Sequence, residues 1–450
     1  LTFLDLLGPA WQVLFCYQVW VMTMTMFDPH NNDKRPSNAV LTDDAEDRLS
    51  TLAATPPDTN QPLTSSPCAS GNHDTFDNHN SSEPTSITEC EFCVCDQRLQ
   101  LSELQVKGRG PVLPLSSVLP VLENMGVSVL SASTSVNPSS IGSVDGFDWQ
   151  IVFVLQNGAG KLAQSKLLQA NFQQLFIAVV NGQVESDGFN RLISKAEMNI
   201  DELVMLRAIG KYLLQINVPF SQAYMAETLN KHASIATVMV ALLRAKFDPE
   251  LSGSQAQRSV SVQSCQKRVL EQLEGVATRD EDRILRSYLS VLNSMLRTNF
   301  YQQRLFCDAG PELPWRALCF KLRSAEVEGI PQPAPEFEVF VYSPRVEGVH
   351  LRGGKVSRGG IRWSDRKEDF RTEILGLAKA QMVKNAVIVP VGAKGGFVIK
   401  TAIADMDGST QKEQVVACYS AFIRSLLDIT DNLKNGSVVA PENVLRYDDD

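Results

Sequence analysis

RTEILGLAKAQMVKNAVIVPVGAKGGF, Arg371 to Phe397, decides how the chain is read. Ile374, Leu375, Leu377 and Ala378 recur at helical spacing, so a helix is expected over 371–385, with Lys384 in its last turn. AVIVPV, 386–391, has the β-branched run of a buried strand. Gly392, Gly395 and Gly396 then surround one lysine, Lys394, in what reads as a glycine-rich turn. Helix, buried strand and turn in this order are an α/β pattern. They place a cation at the carboxyl end of a strand, where open α/β sheets hold ligands.

Just upstream, HLRGGKVSRGGIRWSDRKEDF puts Arg352, Lys355, Arg358 and Arg362 among two glycine pairs. Glycines let backbone approach a ligand closely. Two or three cations beside Lys394 would bind a dicarboxylate. They would also lower the pKa of one lysine, because like charges disfavour protonation. A lysine brought to about 7–8 is a usable acid/base. The plain alternative is a set of solvated surface cations.

The remaining sequence bounds these readings. The 450 residues are a prior for about three domains. Their 44% hydrophobic content supports large cores. A net charge of −9 argues against a general nucleic-acid binder. Nine cysteines in a chain this long read as reduced buried thiols, not a disulfide scaffold. The chain starts at Leu1 and ends on Asp448-Asp449-Asp450, which reads as a fragment. Residues 1–27 are apolar but lack flanking cations, so neither a signal peptide nor a membrane anchor is supported. Residues 28–89 show no hydrophobic period and are expected to be disordered. Cys90-x-x-Cys93 could form half a zinc site with Cys68 and His73, but no scaffold is expected there, and no metal is assigned.

Globular sequence is expected from Leu101. A Ser-capped helix and a strand fit LPLSSVLPVLENMGVSVLSAS, and a second strand fits 149–155. Gly160-Lys161 follows that strand, but Leu155 and Leu162 stand where a phosphate loop needs Gly and Ser or Thr. Helices are expected across 163–246 and at 279–298, with a Ser/Gln-rich loop at 250–265 between them. FEVFVYS, 337–343, reads as a strand.

The stretch from Arg352 to Phe397 resembles the substrate-domain signature of the large NAD-specific glutamate dehydrogenases. LPVLENMG, ESDGFNRLI, LRAIGKYLLQ, DEDRILRSYLSVLNSMLRTNFYQ and FVYSPRVEGVHLRGG are similar to the same family, so the resemblance covers about Leu101 to Asp450. It implies an α/β and α+β multidomain chain. The expected parts are 1–100 disordered or uncertain, 101–160 an ACT-like α+β module, 161–300 a helical region, and 301–450 a truncated substrate domain. No Gly-x-Gly-x-x-Gly opens a helix after a strand, so the nucleotide-binding Rossmann domain is expected to be absent.

The resemblance implies that Lys394 is the catalytic lysine, activating water and stabilising carbinolamine and iminium intermediates. Lys384 matches the lysine that binds substrate carboxylate. The chain is similar, more distantly, to the small hexameric glutamate dehydrogenases, and Arg358 stands where these small relatives carry lysine in Lys-Gly-Gly-x-Arg, which keeps the charge but changes the geometry. Arg362 matches the arginine of that motif and has a possible structural role. The acidic partner is not evident: Pro441-Glu442-Asn443-Val444 has Asn443 where small relatives have aspartate. The implied reaction is oxidative deamination of L-glutamate to 2-oxoglutarate and ammonium, with NAD bound outside this chain. A homo-oligomer is expected when the chain is complete, without nucleic-acid or membrane partners, in the cytoplasm or, alternatively, the mitochondrion. Two other readings stand beside it. One is a non-catalytic dicarboxylate-binding or assembly fragment, or a degenerate gene product. The other is a Schiff-base lysine enzyme, which borohydride trapping at Lys394 would reveal.

Overall fold

A computed structural model describes residues 86–96, 101–136, 148–157, 161–251, 253–302, 317–355, 357–384, 391–403 and 406–448. The apolar run 1–27, Cys68, His73 and most of 28–89 lie outside the described residues, as do 386–390 of the expected AVIVPV strand. No described helix is long and apolar enough to cross a membrane.

The first sheet includes a strand upstream of Leu101. Strand β1, Ser86–Asp96, pairs antiparallel with β2, Leu101–Arg109. Cys90 pairs with Val106 and Cys93 with Glu103, so the two cysteines point to opposite faces and cannot share an ion. No group of three metal-ligating side chains forms among the described residues. Helix α1, Leu115–Asn124, follows, with Pro114 at its N-cap position and no capping side chain, where a serine was expected. Strands β3, Val127–Val136, and β4, Trp149–Asn157, complete a sheet of order β1-β2-β4-β3. Leu104, Val106, Ile151, Phe153 and Leu155 alternate onto its buried face. Helix α2, Lys166–Val180, covers that face through Phe172, whose ring meets Phe92 edge-on at 5.7 Å.

The helical part comprises α3 (Ile200–Gln215), α4 (Gln222–Lys231), α5 (Ala233–Phe247), α6 (Gln255–Leu273) and α7 (Arg279–Ser294). The expected loop at 250–265 is instead mostly α6. Ser254 and Gln257 form a reciprocal cap at its start. Val262, Cys265, Val269 and Leu273 then give it one apolar stripe. The helix expected over 279–298 stops at Ser294. Met295–Thr298 turns into strand β5, because β6, Leu318–Arg323, supplies a pairing edge.

The second sheet has the order β5-β6-β7-β8-β10-β9, with β7 Phe337–Tyr342, β8 Val346–Arg352, β9 Ile361–Trp363 and β10 Ala393–Ile399. All neighbours are antiparallel except β10 and β9. One face carries Phe320, Phe340, Val349, Leu351 and Val398. It packs on α3, where Tyr212 meets Phe340 at 5.5 Å, and on α8, Phe370–Lys384. The other face carries Val339, Val341, Phe397 and Ile399 and packs on Phe422 of α9, Gly408–Asp428. Helices thus cover both faces of a mixed sheet, and the α/β and α+β classes coexist in one chain.

Candidate active site

The glycine-rich segment is not a turn. Gly392 forms an isolated bridge with Arg358, and Lys394, Gly395 and Gly396 lie inside β10. Lys394 is therefore at the amino end of a strand hydrogen-bonded on both edges, paired with Leu351 of β8. None of these three glycines has a positive φ. Packing, not turn geometry, demands Gly395 and Gly396. A Cβ on Gly396 would lie 2.2 Å from Cδ1 of Ile374 on α8. One on Gly395 would lie 3.0 Å from Ile361.

The cationic segment runs parallel to β10. Ala393 N donates to Arg358 O at 2.9 Å, Gly395 N to Gly360 O at 3.0 Å, and Ser364 N to Phe397 O at 2.9 Å. The contact is tight enough that a Cβ on Gly359 would fall 1.5 Å from the Ala393 carbonyl oxygen. At Gly360 a Cβ would sit 3.6 Å from Lys394 Nζ, so the ammonium lies over this glycine. Arg358 is exposed beside it. The fold thus brings Lys394, Arg358 and Arg362 onto adjacent strands.

Arg362 has a partner of its own. Its Nε donates to Glu373 Oε1 at 2.8 Å, and the side chain remains half-exposed. Ser364 Oγ donates to the other Glu373 oxygen. Glu373 in the first turn of α8 therefore ties β9 to the helix and suits the helix dipole. Lys384 is the last residue of α8, one residue before a segment outside the described residues. Asn443 stands at a φ of 54°, and the neighbouring Glu442 is exposed while its carbonyl accepts from Gln302 Nε2.

Two buried charge networks brace these elements. Arg371 of α8 pairs with Glu338 of β7, which also accepts from Tyr212 Oη at 3.2 Å. Burial and the adjacent Glu338 carboxylate push the Tyr212 phenol well above its usual pKa. At the far end of β10, Lys400 Nζ lies 2.7 Å from Glu347 and also binds Glu185 and the Ser343 carbonyl. Burial opposes the Lys400 ammonium, yet Glu347 and Glu185 leave its pKa above the ordinary lysine value. The sequence showed the cations but not Glu373, Glu338 or Glu185. A glutamate in the first turn of α8 was the one local signal available.

Chemically, one ammonium held on a rigid strand, an exposed arginine on the segment bridged to that strand's start and glycine backbone underneath can receive an anionic or carbonyl-bearing small molecule. Three family profiles match the chain. Residues 96–159 match the glutamate dehydrogenase ACT3 domain, 184–249 glutamate dehydrogenase helical motif 3, and 268–450 the bacterial NAD-glutamate dehydrogenase catalytic domain. An NAD-specific glutamate dehydrogenase of Halomonas elongata is 44% identical over 346 residues, 77% of this chain and 21% of that protein. One of Pseudomonas aeruginosa is 44% identical over 75% of this chain and 20% of its own length. One of Mycobacterium tuberculosis is 42% identical over 76% of this chain and 21% of its own length. The chain spans about a fifth of the length of the curated relatives it matches.

Proposed function

We propose that this chain, which belongs to the NAD-specific glutamate dehydrogenase family by its ACT3, helical-motif and catalytic-domain segments, supplies the substrate half of an enzyme. That enzyme oxidatively deaminates L-glutamate to 2-oxoglutarate and ammonium. The observation that carries the reading is the placement of Lys394. Its ammonium lies over Gly360 on a segment that presents Arg358, in a chain 44% identical to dehydrogenases of that name.

In this reading Arg358 and Lys384 hold the substrate carboxylates, and Lys394 faces the reacting carbon. Its amine activates water and, as ammonium, stabilises the negative oxygen of the carbinolamine. Arg362, already held by Glu373, keeps β9 against α8 and is assigned a structural role. The domain division follows the same reading, with two strands added: the ACT-like module expected over 101–160 takes in β1, the helical region expected over 161–300 ends with α7, and the substrate domain expected from 301 takes in β5. NAD is the hydride acceptor by family. The space at Gly359 and Gly396 is filled by the Ala393 carbonyl and Ile374, so these two glycines do not cradle a dinucleotide. In this reading the NAD site lies outside this chain. A homo-oligomer and a cytoplasmic setting complete the proposal. The bacterial sources of the relatives give a mitochondrial setting no support.

The test is titration of the chain with 2-oxoglutarate. Binding is expected, and Lys394→Ala should weaken it at unchanged thermal stability. Unchanged affinity in the variant would remove Lys394 from the site. In the longer polypeptide, Lys394→Ala should lower kcat by about 10²-fold or more. Binding without any turnover there would instead support the non-catalytic dicarboxylate-binding reading.

A further inference from the structure

Gln215 ends α3 and is buried, yet its side-chain amide is spent entirely on another element. Its Oε1 accepts from the backbone N–H of Arg371 at 3.1 Å. Its Nε2 donates to the carbonyls of Lys367 at 3.3 Å and Glu368 at 3.0 Å. Arg371 N is one of the donors that the first turn of α8 leaves without an intrahelical partner. A side chain of α3 therefore caps this donor of α8. The two carbonyls belong to the connection between β9 and α8. Gln215 thus fixes both sides of the junction that sets Arg362 and Ser364 against Glu373, and Ile374 over Gly396.

The neighbouring contacts show why this exceeds general bracing. Tyr212, one turn earlier on the same face of α3, joins Glu338 and Arg371 and already anchors α8 to the sheet through side chains. Gln215 adds bonds to the backbone itself, at Arg371 N in the first turn of α8 and at the Lys367 and Glu368 carbonyls just before it. At its middle α3 is tied to the segment after α2: Arg207 binds Asp187, Asn190 and the Glu185 carbonyl. That segment touches the end of α1, where Asn124 Nδ2 donates to Ser186 Oγ at 3.1 Å. A continuous set of contacts thus runs from the first sheet's helices, through α3, to the roof over β10.

We propose that Gln215 is a positioning residue for the Lys394 site, holding the start of α8 so that β9 and β10 present their cations in one fixed geometry. This rests on the substrate-site reading above. The test compares the chain with Gln215→Met, which removes all three bonds, and Gln215→Glu, which keeps the size and loses both donors. Amide hydrogen exchange over 367–376 is measured together with 2-oxoglutarate affinity. The expected result is exchange at least tenfold faster over 367–376 in both variants, unchanged exchange over 235–243 of α5, and a dissociation constant for 2-oxoglutarate raised at least tenfold. Faster local exchange with unchanged affinity would overturn the positioning role. So would exchange that rises equally in α5, which marks a loss of general stability, or exchange that does not change at all. If the unsubstituted chain binds no 2-oxoglutarate, the substrate-site reading fails first, and this inference falls with it.

Discussion

Ile374 closes over Gly396 so tightly that a single added carbon on the glycine would meet its Cδ1 at 2.2 Å and its Cγ1 at 2.4 Å. Helix α8 can approach β10 this closely because the strand offers no side chain at that point. Gly396→Ala should therefore cost about 1–3 kcal/mol through overpacking. Ile374→Ala in the same chain removes both clashing atoms. The double variant should be more stable than the sum of the two single losses. Chemical denaturation of the four chains in the cycle measures this, and strict additivity would show that the contact is not the cause.

The Arg371–Glu338 pair is fully buried and shared with Tyr212. Arg371→Leu leaves a carboxylate without its partner and should cost about 3–5 kcal/mol. Arg371→Leu combined with Glu338→Leu removes both charges and should recover much of that loss. A double variant as unstable as the single one would contradict this account.

Glu281 on α7 receives Lys231 Nζ at 2.6 Å and lies 2.9 Å from His232 Nε2. Hydrogen bonds from His232 and Lys231 hold its carboxyl down to about 2. A depressed folded-state pKa stabilises the fold fully above the unfolded value of about 4.3, and this contribution is lost as pH falls through about 2. The stability gap between wild type and Glu281→Gln should be widest near neutral pH and shrink on acidification across that window. A gap independent of pH would remove the ion pairs as its origin.

Lys246 is buried and donates to the carbonyls of Leu292 and Asn293 at the end of α7, and burial brings its pKa down to about 8. The folded state then releases a proton that the unfolded chain still holds, so stability should rise with pH between about 8 and 10. One such proton gives at most about 1.4 kcal/mol per pH unit. Lys246→Met should flatten the profile in that interval. An equal slope in the variant would assign it to other groups.

Helical and strand periods were legible where one element sufficed to show them. Ile374, Leu375 and Ala378 marked α8, and the β-branched and aromatic run at 337–342 marked β7. The glycines around Lys394 misled because glycine serves two ends. It permits left-handed backbone, and it leaves space for a neighbour. The neighbour that decides, Ile374, belongs to another element. Likewise the helical period of α7 runs on into Met295 and Leu296, and only the distant Leu318–Arg323 strand turns these into β5. The serines and glutamines of α6 hid its apolar stripe, although Ser254 and Gln257 carried a readable cap. At the site, the cations could be seen in sequence. Glu373 and Gln215 could not, since each acts across a contact that no local pattern encodes.

Lys394 sits on a strand bonded to neighbours along both edges, and this bears on what ligand capture must organise. Fixing a residue's backbone costs about 1–2 kcal/mol in conformational entropy. For Lys394 that cost is met during folding, before any ligand arrives. A ligand then has only the side-chain torsions left to order. A lysine on a hinged loop would add the backbone term to every binding event. In the proposed site, adaptation between different anions should therefore come from the exposed Arg358, while the ammonium's point of origin stays the same for each.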